Sequence, residues 1–312
     1  MRFALLADCH IGEERPYEGV VRKLSRYALP FLDAIIGELG ESVDFIVQLG
    51  DLIEDGADVQ GDIDNYRAGI AAFARAPVPV LHVFGNHEQV HLTVPQLCAI
   101  AGQNDGGAAA EISRLADVAE TSGQAVTPEL SGPAASPYYS RIIAGYKLIV
   151  LFSSSIAHTD IHVDREQIEW LKQVLKEGTE PVLVFVHHPL DEQSLIGNVW
   201  FEKYPHYCFC EERLELRQIL EASKRVLAVF GGHVHQNSVS CINGIYYVTV
   251  QSLVERIERD GGSDTKGGGR DTKDAEPSRA YALVDVLKNE AGDHQLKIEV
   301  RGNDALVVDV KC

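Results

Sequence analysis

Short runs of apolar residues, each followed directly by polar residues, constrain the fold of this chain more than any other feature. The runs are rich in Val, Ile, Leu and Phe, as in strands that are buried on both faces of a sheet. They occupy residues 3–7, 43–49, 78–84, 148–152, 182–186 and 226–230. Amphipathic segments with helical spacing separate them, at residues 17–39, 63–75, 165–176 and 211–223. Alternating strands and helices predict a layered α/β fold.

Local signals support the third of these helices. Asp164 is expected to be its N-cap, with Gln167 at the capping-box position and Gly178 just beyond its end. The C-terminal part differs, because its apolar segments are close together. Strands are predicted at residues 238–241, 245–250, 281–286, 296–300 and 306–310. They indicate a second, antiparallel sheet that packs against the first with helices outside.

Residues 1–312 are expected to form a single domain with two loop excursions. Residues 102–137 are rich in small residues and contain one plausible helix at 108–120, and residues 260–277 are rich in Gly, Asp and Lys. Six scattered cysteines in a chain of this length predict reduced thiols.

The net charge of −18 argues against nucleic acid and anionic membranes as partners. No apolar stretch approaches the roughly 20 residues of a membrane helix, and residues 1–7 lack the features of a signal peptide. A cytoplasmic location is therefore the default expectation. Nothing in the sequence indicates the oligomeric state.

Residue types that bind metals recur at the ends of five apolar runs. In chain order they are Asp8, His10, Asp51, Asn86, His87, Glu88, His187, His188, His233 and His235. Ligand sites in open α/β sheets lie beyond the carboxyl ends of the strands, so these side chains are expected to meet at one edge. Glycines precede Asp51, Asn86 and His233, where they allow sharp turns and close approach.

Mixed imidazole and carboxylate ligands favour Mn, Fe or Zn over Ca or Mg. The set is too large for one tetrahedral ion. Two ions about 3.5–4 Å apart that share a carboxylate account for it.

The same residues match, in order, the five motif blocks of the calcineurin-like metallophosphoesterase superfamily. The blocks are Asp8-Cys9-His10, Gly50-Asp51, Gly85-Asn86-His87-Glu88, His187, and Gly232-His233-Val234-His235, within roughly residues 1–250. The resemblance implies a four-layer α/β/β/α sandwich of two mixed sheets. It also implies that Asp8, His10 and His235 hold one ion, that Asn86, His187 and His233 hold the other, and that Asp51 bridges them. His87 is then a catalytic residue rather than a ligand, and stabilises or protonates the leaving oxygen.

The resemblance further implies hydrolysis of a small phosphorylated substrate by a metal-bound hydroxide. Binding to such ions lowers the pKa of a water to roughly 7. The size and layout resemble small bacterial cyclic-nucleotide and glycerophosphodiester phosphodiesterases. Residues 50–56, 85–88, 231–235 and 245–255 also resemble the manganese-dependent ADP-ribose/CDP-alcohol diphosphatases. A phosphodiester or nucleotide-type diphosphate is therefore the expected substrate. The alternatives are a phosphomonoesterase and, from another class, a non-catalytic metal-binding scaffold.

Several other residues have a structural and a functional interpretation. His82 is expected in the core and His188 beside the site. Glu54 and Asp55 are expected in a solvated loop, with the alternative that one of them orients a ligand imidazole. Surface positions are the default for His91, His158, His162 and His206, with the alternative that they belong to the substrate pocket. Residues 200–209 are rich in aromatic residues and either anchor their own loop or cap the site and stack on a nucleobase.

Overall fold

A computed structural model of the chain describes residues 1–102, 136–156, 158–257, 276–289, 294–303 and 306–310. The helix predicted at 108–120, and most of both predicted loop excursions, lie outside these residues. The strands are β1 Arg2–Leu6, β2 Pro16–Tyr17, β3 Val20–Val21, β4 Phe45–Gln48, β5 Val80–His82, β6 Tyr139–Ile143, β7 Tyr146–Val150, β8 Ser154–Ile156, β9 Thr159–His162, β10 Val182–Phe185, β11 Val226–Gly231, β12 Ser238–Ile242, β13 Ile245–Thr249, β14 Tyr281–Lys288, β15 His294–Arg301 and β16 Leu306–Val310.

Two six-stranded mixed sheets organise the described part of the chain. The first has the order β16-β15-β14-β1-β4-β5, and the second has the order β12-β13-β11-β10-β7-β6. In the first sheet β1, β4 and β5 are parallel, and β14 joins β1 antiparallel. In the second sheet β7, β10, β11 and β13 are parallel.

The sequence suggested that the C-terminal strands form a sheet of their own, and this prediction is wrong. β14 to β16 extend the first sheet, and β12 and β13 extend the second. Their antiparallel pairing was predicted correctly. A strand pattern encodes which residues alternate, but it does not encode which sheet accepts the strand.

Three apolar clusters separate the layers. Alternate residues of β1 face opposite ways: Phe3 and Leu5 enter the cluster between the sheets, whereas Ala4 and Leu6 face the outer cluster. Between the sheets, Phe3 stacks on Phe45 at 4.8 Å and meets Phe230 edge-on at 5.5 Å. Helices Ala28–Leu39 and Val59–Phe73 contribute residues to the outer cluster of the first sheet, and Arg165–Val174 and Arg213–Ser223 to that of the second. The fold is thus the predicted four-layer α/β/β/α sandwich.

The helix predicted at 17–39 is wrong in its first half. Glu18 and Gly19 both have positive φ, at 49° and 81°, as a tight hairpin turn requires. They join β2 to β3, and the helix begins only at Ala28. A local turn preference therefore outweighs the helical spacing of the apolar residues there.

Caps explain the bounds of the other helices. Asp58 accepts from the amide of Gly61, so the second helix begins at Val59 rather than 63. The predicted N-cap Asp164 is confirmed, since it accepts from the amide of Gln167 at 2.7 Å. The Gln167 side chain does not complete a capping box; it bonds both backbone groups of Phe152. A short helix, Val94–Ile100, follows the third run.

Cys9, Cys98, Cys208 and Cys210 are buried free thiols. Cys241 is disulfide-bonded, which corrects the expectation that all six cysteines are reduced. Within the described residues, no helix combines the length and apolarity needed to cross a bilayer.

Candidate dinuclear metal centre

The loops that follow the parallel strands carry an unusual backbone. Non-glycine residues at positive φ are uncommon, and each costs of order 1–3 kcal/mol. Five of the predicted ligands adopt it, with φ between 47° and 69°: Asp8, His10, Asp51, His233 and His235. Such strain concentrates where a fold must aim side chains at one point.

Glycines let these loops approach one another. A Cβ on Gly232 would lie 2.6 Å from Oδ2 of Asp8, which no real structure tolerates. A Cβ on Gly50 would collide with the His187 ring, and one on Gly85 would collide with Asp51. The glycines noted in the sequence are therefore needed for close approach.

One cluster joins Asp8, His10 and His235, all buried. The Nε2 atoms of the two histidines lie 2.9 Å apart, and Oδ1 of Asp8 lies 3.4 Å from Nε2 of His235. Nδ1 of His235 donates to Glu255 at 2.6 Å, and Nδ1 of His10 lies 2.9 Å from Oε2 of Glu54. With their protons on Nδ1, both histidines turn lone pairs toward a single point, which is the arrangement a cation needs.

A second cluster surrounds His187. Its Nδ1 donates to the carbonyl of Leu49 at 2.8 Å, and its Nε2 lies 3.1 Å from Oδ1 of Asn86 and 3.3 Å from Oδ2 of Asp51. Burial alone would lower the pKa of His187, yet the charge of Asp51 raises it to about 9. The surroundings therefore favour positive charge where these three groups meet.

His233 and Asp51 connect the clusters. The amide of His233 donates to both carboxylate oxygens of Asp8 at 3.0 Å, and its Nε2 donates to the carbonyl of Tyr207 at 3.1 Å. Its ring lies 5.2 Å from the ring of His187. Asp51 groups with Asp8 and His187 on one side and with His10 and His87 on the other. All seven predicted ligands thus lie at one edge of the two sheets.

His87 lies next to the clusters, and its side chain is 13% exposed. Nδ1 donates to Oδ1 of Asp55 at 2.5 Å, and Nε2 lies 3.9 Å from Oδ2 of Asp51. His158 packs on its ring at 4.6 Å and accepts from the amide nitrogen of Asn86 at 2.7 Å. That contact turns the amide oxygen of Asn86 toward His187.

Buried carboxylates hold these groups in place. Glu88 is fully buried and accepts from the amides of Gly85 at 2.8 Å and Asp51 at 3.2 Å, so it ties two loops together. Burial raises the pKa of Glu88 to about 7. Glu54 is not in a solvated loop as expected. Its side chain is 14% exposed and contacts His10, which is the alternative considered for it.

Of the other histidines considered in the sequence, some lie at the site and others lie away from it. His188 is buried beside His187 and His233, and its Nδ1 bonds Oγ of Ser153. His158 lies at the site, which is the alternative considered for it, while its side chain stays 40% exposed. His82 packs against Phe73 in the core as expected. His91 and His162 pair with Asp62 and Glu212.

The aromatic stretch borders the first cluster. The Trp200 ring lies 5.6 Å from that of His235, and its Nε1 donates to Glu255 at 3.3 Å. Lys23, which no sequence pattern singled out, places its ammonium 5.2 Å from the centre of the Trp200 ring. It reaches the site through tertiary structure, so no local spacing could have indicated it.

Comparisons with known proteins agree with this geometry. The model of the calcineurin-like phosphoesterase family matches residues 1–237. A probable cyclic nucleotide phosphodiesterase of Synechococcus sp. is 26% identical over 208 residues, which are 66% of this chain and 64% of that protein. One from Psychrobacter sp. is 25% identical over 114 residues, which are 36% of this chain and 32% of that protein. The chain thus aligns with less than two thirds of the length of either relative.

Solved structures share the fold at low identity. A dimetal phosphatase from Danio rerio has 17% identity and a TM-score of 0.65, with 99% of each chain covered. The purple acid phosphatase PPD1 of yellow lupin has 17% identity and a TM-score of 0.55, covering 99% of this chain and 52% of that one. These likenesses confirm the predicted fold.

Proposed function

The chain belongs to the calcineurin-like phosphoesterase family, and from that premise we propose that it hydrolyses a phosphodiester or a nucleotide-type diphosphate bond. The proposal has two levels. The first is a metal-dependent phosphoric ester hydrolase of the dinuclear type, and the second is the finer assignment of bond and substrate.

One observation supports metal chemistry at this site above the others. The Nε2 atoms of His10 and His235 face each other at 2.9 Å while the Nδ1 atom of each ring faces a carboxylate. Two neutral imidazoles in that arrangement repel unless a cation or a proton lies between them. The donor set of imidazoles, carboxylates and one amide suits Mn, Fe or Zn.

We assign the ligands as the family resemblance implies. Asp8, His10 and His235 would hold one ion, Asn86, His187 and His233 would hold the other, and Asp51 would contribute to both. When bound, such a pair supplies Lewis acidity and lowers the pKa of water. Glu54 and Glu255 orient the imidazoles of the first group, the Leu49 and Tyr207 carbonyls orient those of the second, and His158 orients the amide of Asn86.

His87 acts on the substrate rather than on an ion in this proposal. Asp55 holds the proton on Nδ1, which fixes the ring and turns Nε2 toward the side of Asp51. A second proton on Nε2 would let the ring donate to the leaving oxygen and stabilise the charge that develops on it. Trp200 and its neighbours border the site and stay candidates for nucleobase stacking.

Both curated relatives bear names of cyclic nucleotide phosphodiesterases, which supports a small phosphorylated substrate with a nucleotide part. The test is turnover of ADP-ribose, cyclic AMP and p-nitrophenyl phosphate by manganese-loaded protein, side by side. We expect the nucleotide compounds to be preferred and a chelator to abolish all activity. Activity on the monoester alone would replace the proposal with a phosphomonoesterase, and metal binding without any hydrolysis would favour a scaffold.

A further inference from the structure

Lys23 is a nearly buried lysine whose backbone is fixed at the edge of the candidate centre. It pairs antiparallel with Glu255, the carboxylate that orients His235. Two neighbouring backbone hydrogen bonds stabilise this pairing. The amide of Leu24 donates to the carbonyl of Val254 at 2.9 Å, and the amide of Arg256 donates to the carbonyl of Arg22 at 2.7 Å. The position of Lys23 is therefore set by the same segment that supports the first group of ligands.

The side chain of Lys23 is 12% exposed, against 68% for the surface residue Lys203. Burying an ammonium is costly unless it is paired, and Lys23 is paired. Nζ donates to Oε2 of Glu54 at 2.7 Å and lies 3.1 Å from Nε2 of His87. Trp200 covers the ammonium with its ring face at 5.2 Å.

The tautomer of His87 defines what Lys23 does there. Nδ1 of His87 donates to Asp55, so in the neutral ring Nε2 carries a lone pair and accepts from Lys23. An ammonium has three donors. Within the described part of the chain, Glu54 and His87 are the hydrogen-bond partners of Nζ, so one donor stays available for a substrate oxygen.

We propose that Lys23 binds the leaving group and selects substrates whose leaving group is itself a phosphate, namely nucleoside diphosphate compounds, over cyclic or simple diesters. The inference rests on the proposed function, because it assigns a substrate class to the same site. Nε2 of His87 lies between the two groups, 3.1 Å from Nζ of Lys23 and 3.9 Å from Oδ2 of Asp51. A leaving oxygen next to His87 is therefore also next to Lys23.

The chemistry distinguishes the two kinds of leaving group. In hydrolysis a P–O bond forms to the oxygen of water, and the bond from phosphorus to the leaving oxygen breaks with its electron pair on that oxygen. The proton that the water loses passes to an alcohol leaving group or, when a phosphate leaves, to the solvent. An alcohol leaving group offers a single oxygen, whereas a phosphate leaving group also carries charged non-bridging oxygens, which bind positive charge beside them. Lys23 keeps its proton throughout and supplies that charge, as lysine does in other phosphate sites.

The experiment compares ADP-ribose with cyclic AMP in manganese-loaded wild type, Lys23→Met and Lys23→Gln. We expect kcat/KM for ADP-ribose to fall about 10- to 100-fold in both variants and that for cyclic AMP to fall less than about threefold. Lys23→Arg should restore part of the ADP-ribose activity, since it keeps the charge. Lys203→Met is the matched control, because its partner is the exposed Glu18, and it should leave both rates unchanged.

Each outcome decides a different point. Wild-type protein that hydrolyses neither compound would refute the proposed function itself. Equal losses on both compounds, or no loss on either, would refute the role of Lys23 and leave the proposed function standing. Bound manganese is measured in every variant. The glutamine in Lys23→Gln can still donate to Glu54, whereas the methionine in Lys23→Met cannot. Loss of manganese from both variants would show that Lys23 is needed for metal binding, and would overturn the inference.

Discussion

Each imidazole of the candidate centre is held through the ring nitrogen that does not face the ions. Glu255 holds His235, the carbonyl of Leu49 holds His187, and the carbonyl of Tyr207 holds His233. Such contacts fix the tautomer and the direction of the ring. In the proposed assignment, residues outside the ligand set therefore contribute to metal affinity.

Glu255→Gln tests that dependence. An amide accepts less strongly from Nδ1 of His235, so the basicity of Nε2 falls, and we expect manganese affinity about 10- to 100-fold weaker. Calorimetric titration of metal-free protein measures it. The control is Glu38→Gln, which removes an exposed carboxylate paired with Arg279. Equal affinity in Glu255→Gln and wild type would contradict the orienting role.

Asn86 and His87 are adjacent, yet we expect opposite effects from their removal. Asn86→Ala should weaken the second ion, because it removes the amide oxygen beside His187. His87→Ala should retain both ions and lower kcat about 10²- to 10⁴-fold. Metal analysis together with steady-state kinetics separates the two. Loss of an ion from His87→Ala would make His87 a ligand and our assignment wrong.

Sequence reasoning located the ligand types because each follows an apolar run directly. It did not locate Lys23 or the contact of His158 with Asn86, and it placed Glu54 in solvent. These residues reach the centre from a hairpin and from loops whose paths depend on tertiary packing. Glu54 has a local signal, three residues after Asp51, but spacing alone does not show whether its carboxylate turns inward.

At the level of elements, the strands of the apolar runs were predictable to within a few residues, as β1, β4 and β10 show. Segments governed by a turn were not, because two positive φ values at Glu18 and Gly19 convert a helical pattern into the β2–β3 hairpin. The sheet that β14 joins was also beyond sequence reasoning. The alternation of apolar residues along a strand does not depend on which strand it pairs with, so it cannot identify the partner.

His82, at the end of β5 and remote from the proposed ligand contacts, predicts how the free energy of unfolding depends on pH. Burial lowers the pKa of His82 to about 4, so the folded protein keeps this ring neutral while the unfolded chain binds a proton below about 6.5. Stability is thus full above pH 6.5 and falls as the pH drops toward 4. Between pH 7 and 5, His82 should account for a loss of about 2 kcal/mol in the free energy of unfolding.

His82→Leu removes the titrating group and keeps an apolar side chain in contact with Phe73. Urea unfolding of both proteins at pH 7 and 5, with chelator present, measures the difference. The variant should lose about 2 kcal/mol less than wild type over this interval. Parallel losses in the two proteins would show that His82 is already solvated when folded.

For the whole molecule, the centre lies where the two sheets meet, so metal binding links them. Ions that bind only the folded chain stabilise it by about 2.7 kcal/mol each at a 100-fold excess over Kd. Removing them with a chelator should therefore lower Tm by several degrees. Thermal unfolding with manganese or chelator measures this, and the gap should narrow in His235→Ala. An identical Tm with and without manganese would contradict a preformed site.

The position of β1 has a consequence for how the protein is made. β1 carries Asp8 and His10 at its end, and it lies between β4 on one side and β14 on the other. Residues 2–6 leave the ribosome long before the partner strand at residues 281–288. One edge of a strand whose residues 3–6 are all apolar therefore stays unpaired until β14 has been synthesised, and a chaperone or a second nascent chain can bind that edge in the meantime.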